Sequence, residues 1–194
     1  MEITLSILIC SVDIEERQIK LKKLISELHR QISKNYAEEI VEILIDTDNM
    51  TKSVGQKRND LINKAKGHFV CFIDDDDFIT ENYLSTILNH LNIGIDILLI
   101  GISHIENGIN KTKILPSLFI DNLTTNEVVF KTNHFHLCPH KKSIAELVSF
   151  DCVNFAEDMI YSKKMGKHIS NHAVIYDPIY IYFDNLEKSL TRNF

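Results

Sequence analysis

Four consecutive aspartates, Asp74 to Asp77, close an apolar run of residues 69–73. Four like charges in a row repel one another unless solvent or a cation offsets them. Carboxylate oxygens are the hard ligands that Mg²⁺ and Mn²⁺ prefer. At the end of a strand they would sit on a rigid element. An ion held there could bridge diphosphate oxygens and neutralise a leaving group. The competing reading is a solvated acidic turn that also caps a helix starting near Glu81.

Three other constellations could do chemistry. In the segment SVGQKRND, Arg58 is followed by Leu61, Ile62 and Ala65 at i+3, i+4 and i+7. That spacing puts Arg58 on the inward face of a helix's first turn. An inward arginine needs an anion or carbonyl partner. The partner is either a ligand at the helix N-terminus or a local carboxylate such as Asp46 or Asp48. In NFAEDMIYSKKM, Glu157 and Asp158 open a helix. The helix dipole alone accounts for two carboxylates there. The functional reading makes Asp158 a general base that takes the proton of an attacking hydroxyl. In HFHLCPHKK, His134, His136, Cys138 and His140 alternate as on one face of a strand. Such regular spacing is awkward for one tetrahedral zinc ion. A surface or substrate-lining strand is expected, with Lys141 able to reach a phosphate.

The elements that must position these groups follow from hydrophobic pattern. Residues 3–10 are nearly all apolar, as in a strand buried on both faces. Leu21, Leu24, Ile25, Leu28 and Ile32 form a helical stripe. Residues 41–45 make a second strand. A helix over 53–66 starts with capping-box spacing at Ser53 and Gln56 and stops at Gly67. A strand over 68–73, a helix over 81–92 and a strand over 95–102 complete a βαβαβαβ order. This order implies an α/β fold with a mostly parallel sheet and helices on both faces. Ligands bind outside the carboxyl ends of such strands, here residues 11–13, 46–48 and 74–77. Beyond residue 103 the pattern changes to a hairpin or irregular excursion over 103–136. A short helix over 142–148, a helix from Glu157 to Met165 with Gly166 as its stop, and short strands over 174–176 and 179–183 follow. The whole reads as one domain, 1–194, whose pattern changes at residue 103.

Composition narrows the classes. The chain has 194 residues, 44% hydrophobic and 25% charged, with a formal net charge of −6. A mildly acidic chain has no general attraction to nucleic acid or anionic membranes. Cys10, Cys71, Cys138 and Cys152 form no CxxC pair, so reduced thiols and a cytoplasmic setting are expected. No apolar stretch reaches transmembrane length, and the start lacks a basic segment, so neither a spanning helix nor a signal peptide is expected.

Taken in order, these segments resemble the family 2 glycosyltransferases with the GT-A fold, especially small phage and bacterial members. The resemblance covers nearly the whole chain and implies a nucleotide-binding half (1–103) and an acceptor-side half (104–194) within the one domain. LSILICSV resembles the opening strand, with Cys10-Ser11-Val12 where Pro-Thr-Tyr is usual. VEILIDTDN resembles the second strand, which commonly ends in two aspartates and a glycine. KRNDLINKAKGHFVCFIDDDD is the closest match: Arg-Asn, a helix ending in Ala-x-Gly, an apolar strand, then the DxD motif. AEDMIYSKKM resembles the Glu-Asp motif, and IYIYFDNLEKSLTRN the tyrosine-rich strand with its Ser-Leu-Thr segment.

The resemblance implies an inverting, metal-dependent transfer of one sugar from a nucleotide sugar, with Mn²⁺ or Mg²⁺ and a UDP-sugar as the expected donor. Ser11 and either Asp46 or Asp48, with Asp48 preferred, would contact the nucleotide. Arg58 would contact it too, with Asn59 supporting the site. Asp74 and Asp76 are the ends of the DxD, Asp76 the metal ligand with Asp74 beside it, and Asp75 lies near the ribose. Asp77 would turn the chain into the next helix. Glu157 and Lys141 join the donor-binding set, and Asp158 is the base. The acceptor is open: glycan, protein, lipid or nucleic acid, bound partly by another subunit of a homo-oligomer or by a partner. The usual Pro-Thr and Asp-Gly are absent, which leaves base specificity open. The chain has no Trp, so the Gln-x-x-Arg-Trp motif of processive synthases is absent. Two rivals remain: a Mg²⁺-dependent sugar-phosphate nucleotidyltransferase, and a nucleotide-sugar-binding protein without catalysis. The first wants a glycine-rich phosphate loop, and residues 10–20 contain no glycine. The second sits poorly with a full set of carboxylates.

Overall fold

The computed structural model describes residues 2–106, 109–118, 123–124, 128–131 and 134–184. The core begins with β1 (Leu5–Val12), which lies between β2 (Val41–Asp48) and β3 (Phe69–Phe72) and runs parallel to both. Leu5, Ile7, Leu8 and Ile9 of β1 are fully buried, as expected for a strand covered on both faces. Helix α1 (Glu15–Lys34) returns from β1 to β2 and buries Leu21, Leu24, Leu28 and Ile32. Gln31 is buried in the same stripe. Its amide donates to the Thr80 carbonyl (2.8 Å) and accepts from the Leu84 N–H (2.8 Å), so every polar atom it carries inward is used.

Helix α2 (Val54–Lys64) is capped by Ser53, whose side chain accepts from the Gln56 N–H. It stops two residues before the expected end, because Ala65 is already extended. Gly67 serves close approach rather than a helix cap: a Cβ there would lie 2.6 Å from the Ser6 nitrogen. After the aspartates comes a short strand, β4 (Phe78–Ile79), before α3 (Tyr83–His90). Two residues of strand carry no periodic signal, which is why the helix was expected to start sooner. Strand β5 (Ile97–Glu106) follows.

The second half enters the same sheet. Strands β6 (Ile109–Pro116), β7 (Leu123–Thr124) and β8 (Val128–Lys131) extend it beyond β5, β6 pairing antiparallel with β5 and parallel with β8. The histidine-rich segment is not a strand. Residues Phe135–Leu137 form a 3₁₀ turn, and only β9 (His140–Lys141) pairs, wedged antiparallel between β3 and β5. Phe135 and Leu137 are both buried, and Pro139 has no N–H for a ladder. After α4 (Lys142–Ala145) and α5 (Glu157–Met165), the last strand β10 (His172–Asp184) runs parallel to β5 and antiparallel to β4. It is continuous where two short strands were expected. Its register slips around Pro178, opposite Gly101, where a Cβ would lie 2.7 Å from the Tyr176 and Asp177 carbonyl oxygens. The Ser-Leu-Thr segment lies outside the described residues. No helix among the described residues is long and apolar enough to cross a membrane.

Candidate active site

A cavity of about 520 Å³ opens beyond the carboxyl ends of β1 and β3. The four aspartates meet it in four different ways. The Asp77 N–H donates to the Asp74 carbonyl (3.1 Å) and closes the turn. The Asp77 carboxylate is buried, and it accepts from the Tyr180 hydroxyl (2.7 Å) and the Phe183 N–H (2.8 Å). It therefore ties the turn to β10; it does not lead the chain into α3. Burial pushes its carboxyl well up, and the charges of Asp74 and Asp76 add to the effect.

Asp75 is wholly buried and does not line the cavity. The Ser11 hydroxyl donates to it (2.6 Å), and Arg17 of α1 forms an ion pair with it. In place of a cavity-facing position beside a ribose, Asp75 anchors a cation. Asp76 lines the cavity and accepts from Arg17 Nη1 (2.7 Å). Loss of water around Asp76 pushes its carboxyl up to about 6, opposed by Arg17 and reinforced by Asp74 and Asp75. Asp74 also lines the cavity. Burial raises its carboxyl, and Arg58, 3.1 Å away, opposes the rise.

Arg58 is buried, as its position on α2 requires. Its guanidinium lies against the adjoining rings of Phe72 (5.4 Å) and Phe150 (5.2 Å), a cation–π arrangement. Its charge partners are Asp74 and Glu157 (3.4 Å), not Asp46 or Asp48. Asn59 supports this arrangement from behind. Its amide donates to the Phe150 carbonyl and accepts from the Phe150 N–H, both at 2.9 Å. That pair of bonds fixes the ring that covers Arg58.

Glu157 and Asp158 open α5, and both line the cavity. The preceding residue, Ala156, has φ 61°, a left-handed conformation costing about 1 kcal/mol in a non-glycine residue. The turn brings Glu157 inward to Arg58 while Asp158 stays half-buried. Burial raises the Glu157 carboxyl, Arg58 opposes the rise and Asp158 adds to it. Asp158 Oδ1 accepts from the Met159 N–H (2.7 Å).

Three expected contacts lie elsewhere. Asp48 is held by Lys57 Nζ (2.7 Å), the Thr51 N–H (2.7 Å) and hydroxyl (2.8 Å), and the Lys52 N–H (2.7 Å). Burial would raise its carboxyl, but these donors outweigh burial and hold it well below the usual range. Asp46 pairs with Lys52 (3.0 Å). Neither aspartate lines the cavity, because their carboxylates close the loop between β2 and α2. Lys141 sits where β9 crosses the start of β3, at the opposite edge of the sheet, and pairs with Asp96 (2.9 Å). Of the histidine set, His134 and His136 reach the cavity wall. His140 is buried against the Tyr161 hydroxyl (2.9 Å), and burial lowers its pKa to about 4.

Arg17 was the residue missed. Arg17, Leu21, Leu24 and Leu28 fall at i, i+4, i+7 and i+11, so Arg17 shares the inward stripe of α1. It carries the same sequence signal as Arg58, an arginine on the inward face of a helix's first turn.

The donor set suits a divalent ion of the hard class. Asp74 and Asp76 offer cavity-facing carboxylates whose ionised forms burial disfavours, with Arg58 and Arg17 only partly offsetting the effect. Among the described residues no group of three or more His, Cys, Asp or Glu forms a closed cage. Mg²⁺ at nucleotide sites usually takes one or two carboxylates and completes its shell with phosphate and water. Two aspartates are therefore enough.

Comparison with known proteins bears on family and fold. The model of the family described as "Glycosyl transferase family 2" matches residues 26–146. No curated protein matches the chain. Solved structures of S. aureus TarS share the fold. Residues 1–349 of TarS align at 17% identity and a TM-score of 0.66, over 93% of this chain and 60% of that one. The same fragment in complex with UDP-GlcNAc aligns at 17% identity and 0.66, over 98% of this chain and 61% of that one. Its complex with UDP gives 18% identity and 0.65, over 95% and 61%. The chain thus spans about 60% of the length of these fragments. At this identity the likeness concerns architecture: the central, mostly parallel α/β sheet flanked by helices is of the GT-A type.

Proposed function

Because this chain belongs to glycosyl transferase family 2, we propose that it transfers a single sugar from a nucleotide sugar to an acceptor hydroxyl with inversion at the anomeric carbon. The carrying observation is convergence. Asp74 and Asp76 from the turn after β3, Arg58 from α2, and Glu157 and Asp158 from α5 line one cavity. Complexes of TarS with UDP-GlcNAc and with UDP support a UDP-sugar as donor.

Asp158 is the base in this reading. It takes the proton from the acceptor hydroxyl while that oxygen bonds to the anomeric carbon. The bond from that carbon to the diphosphate breaks in the same displacement, and the nucleoside diphosphate leaves. Glu157 keeps Arg58 in place, and Arg58 holds Asp74 at the cavity wall. Asp74 and Asp76 would hold Mn²⁺ or Mg²⁺, which when bound neutralises charge on the leaving diphosphate. Buried free thiols at Cys71 and Cys138 suit a reducing cytoplasm.

The test is a panel of nucleotide sugars, UDP-GlcNAc among them, incubated with the protein and Mn²⁺. Release of nucleoside diphosphate in the absence of acceptor identifies the donor. Asp158→Asn should lower sugar transfer to an added acceptor by about 10²-fold or more while nucleotide affinity stays within a factor of two or so. Transfer at the wild-type rate would remove Asp158 from the role of base.

A further inference from the structure

Helix α1 contributes more to the cavity than its start. Arg17 and Lys20, one turn apart, both line it, together with Asp74, Asp76 and Asp158. Arg17 is not simply a neutralising partner for the aspartates. One edge of its guanidinium is spent on Asp75 and Asp76. Its Nε is buried and makes no hydrogen bond among the described residues. A buried, unused donor on a charged group is costly, and the Arg17 side chain that carries it forms part of the cavity wall. Lys20 is half-buried and makes no hydrogen bond or ion pair among the described residues, although Asp76 feels its charge. Ion pairs elsewhere account for the cations nearby: Lys57 with Asp48, Lys52 with Asp46 and Asp60, Arg58 with Asp74 and Glu157.

We propose that Arg17 and Lys20 form a diphosphate-binding ledge on α1, contacting the phosphates of the nucleotide donor. This rests on the nucleotide-sugar reading above and extends it. Asp75 then has a defined task. Paired with Ser11 and Arg17, it fixes the guanidinium at the cavity edge instead of binding nucleotide itself. An arginine so anchored is pre-organised, and its planar donors match phosphate oxygens. Lys20 supplies a mobile point charge beside it. Positive charge from the chain itself gives the diphosphate a foothold that does not depend on a divalent ion.

The experiment is calorimetric titration of UDP, UMP and uridine into wild type, Lys20→Ala and Arg17→Lys, in EDTA and again in Mn²⁺. The expected result is that Lys20→Ala weakens UDP about tenfold in both buffers, the loss of one charge-assisted contact. Uridine binding should be unchanged. Arg17→Lys keeps a cation beside buried Asp75 and should also weaken UDP more than uridine, with thermal unfolding confirming that the variant is folded. Wild-type UDP affinity in Lys20→Ala and Arg17→Lys would overturn the ledge and leave the transferase reading standing. Equal losses for uridine and UDP would overturn it too, since that marks a general disturbance of the cavity. If wild type binds no UDP in either buffer, the donor reading fails and the ledge fails with it.

Discussion

At the scale of single residues, each aspartate of the run has its own environment, and the environments predict different responses. Asp76 carries the clearest pH signature. Its carboxyl is raised to about 6 in the fold, against about 3.9 in an unfolded chain. The folded state therefore binds more protons between those values, so the stability of the metal-free protein should fall as pH rises from about 4 to about 6. Asp76→Asn copies the neutral form. It should be more stable than wild type at pH 7, by about 1 kcal/mol once partial exposure is allowed for. Urea denaturation across pH checks this; equal stability at pH 7 would show that burial does not disfavour the ionised carboxylate. Arg58 answers in the opposite direction. Arg58→Ala leaves buried Glu157 and half-buried Asp74 without their cation, which should cost about 3 kcal/mol or more and be visible as a large fall in Tm. The run Asp74–Asp77 and the inward Arg58 were legible in the sequence. The division of labour within the run was not, because it depends on Arg17 and Tyr180, which lie 58 and 103 residues away from their carboxylate partners.

At the scale of elements, the site depends on how α5 is aimed. The loop before α5 is pinned to the start of α2. The Gly55 N–H donates to the Val153 carbonyl (3.2 Å), and the Val54 N–H donates to Asn154 Oδ1 (3.0 Å). A Cβ on Gly55 would lie 1.8 Å from the Asp151 carbonyl oxygen, a backbone atom that cannot step aside cheaply. Gly55→Ala should displace this loop and misplace Asp158, lowering transfer by about 10²-fold, the scale expected for a shift of about 1 Å at a catalytic group. Nucleotide affinity should change far less. Assays of transfer and of UDP binding on one preparation separate the two effects, and unchanged transfer would mean the loop has room to yield. Strands β1, β3 and β5 were readable because strands buried on both faces are continuous apolar runs. Strand β9 was not, since two residues carry no period, and the alternating histidines imitate a strand that the buried Phe135 and Leu137 turn into a 3₁₀ helix.

At the scale of the whole molecule, residues from both sides of position 103 build one sheet and one cavity. β9 lies between β3 and β5, and β10 pairs with β5 and β4. The cavity takes Arg17, Arg58, Asp74 and Asp76 from before residue 103, and His136, Glu157, Asp158 and Tyr182 from after it. A fragment of residues 1–103 would open the sheet where β9 and β10 pair and leave Arg58 without Phe150 and Glu157. It should show no cooperative urea transition and no UDP binding; a cooperative transition would mean that the first half is a domain in its own right. The βα alternation announced the parallel core, since local periodicity encodes it. The closure of the sheet by the second half depends on pairings between residues far apart in the chain, which no local pattern records.

The central claim is that Asp74 and Asp76 form a metal-assisted site for a nucleotide diphosphate. Calorimetric titration of UDP into wild type and Asp76→Ala, each in EDTA and in Mn²⁺, tests it most directly. Wild type should bind UDP about tenfold or more tightly in Mn²⁺ than in EDTA, and Asp76→Ala should lose that gain. An Mn²⁺ gain that survives in Asp76→Ala, or the absence of any gain in wild type, would contradict the account.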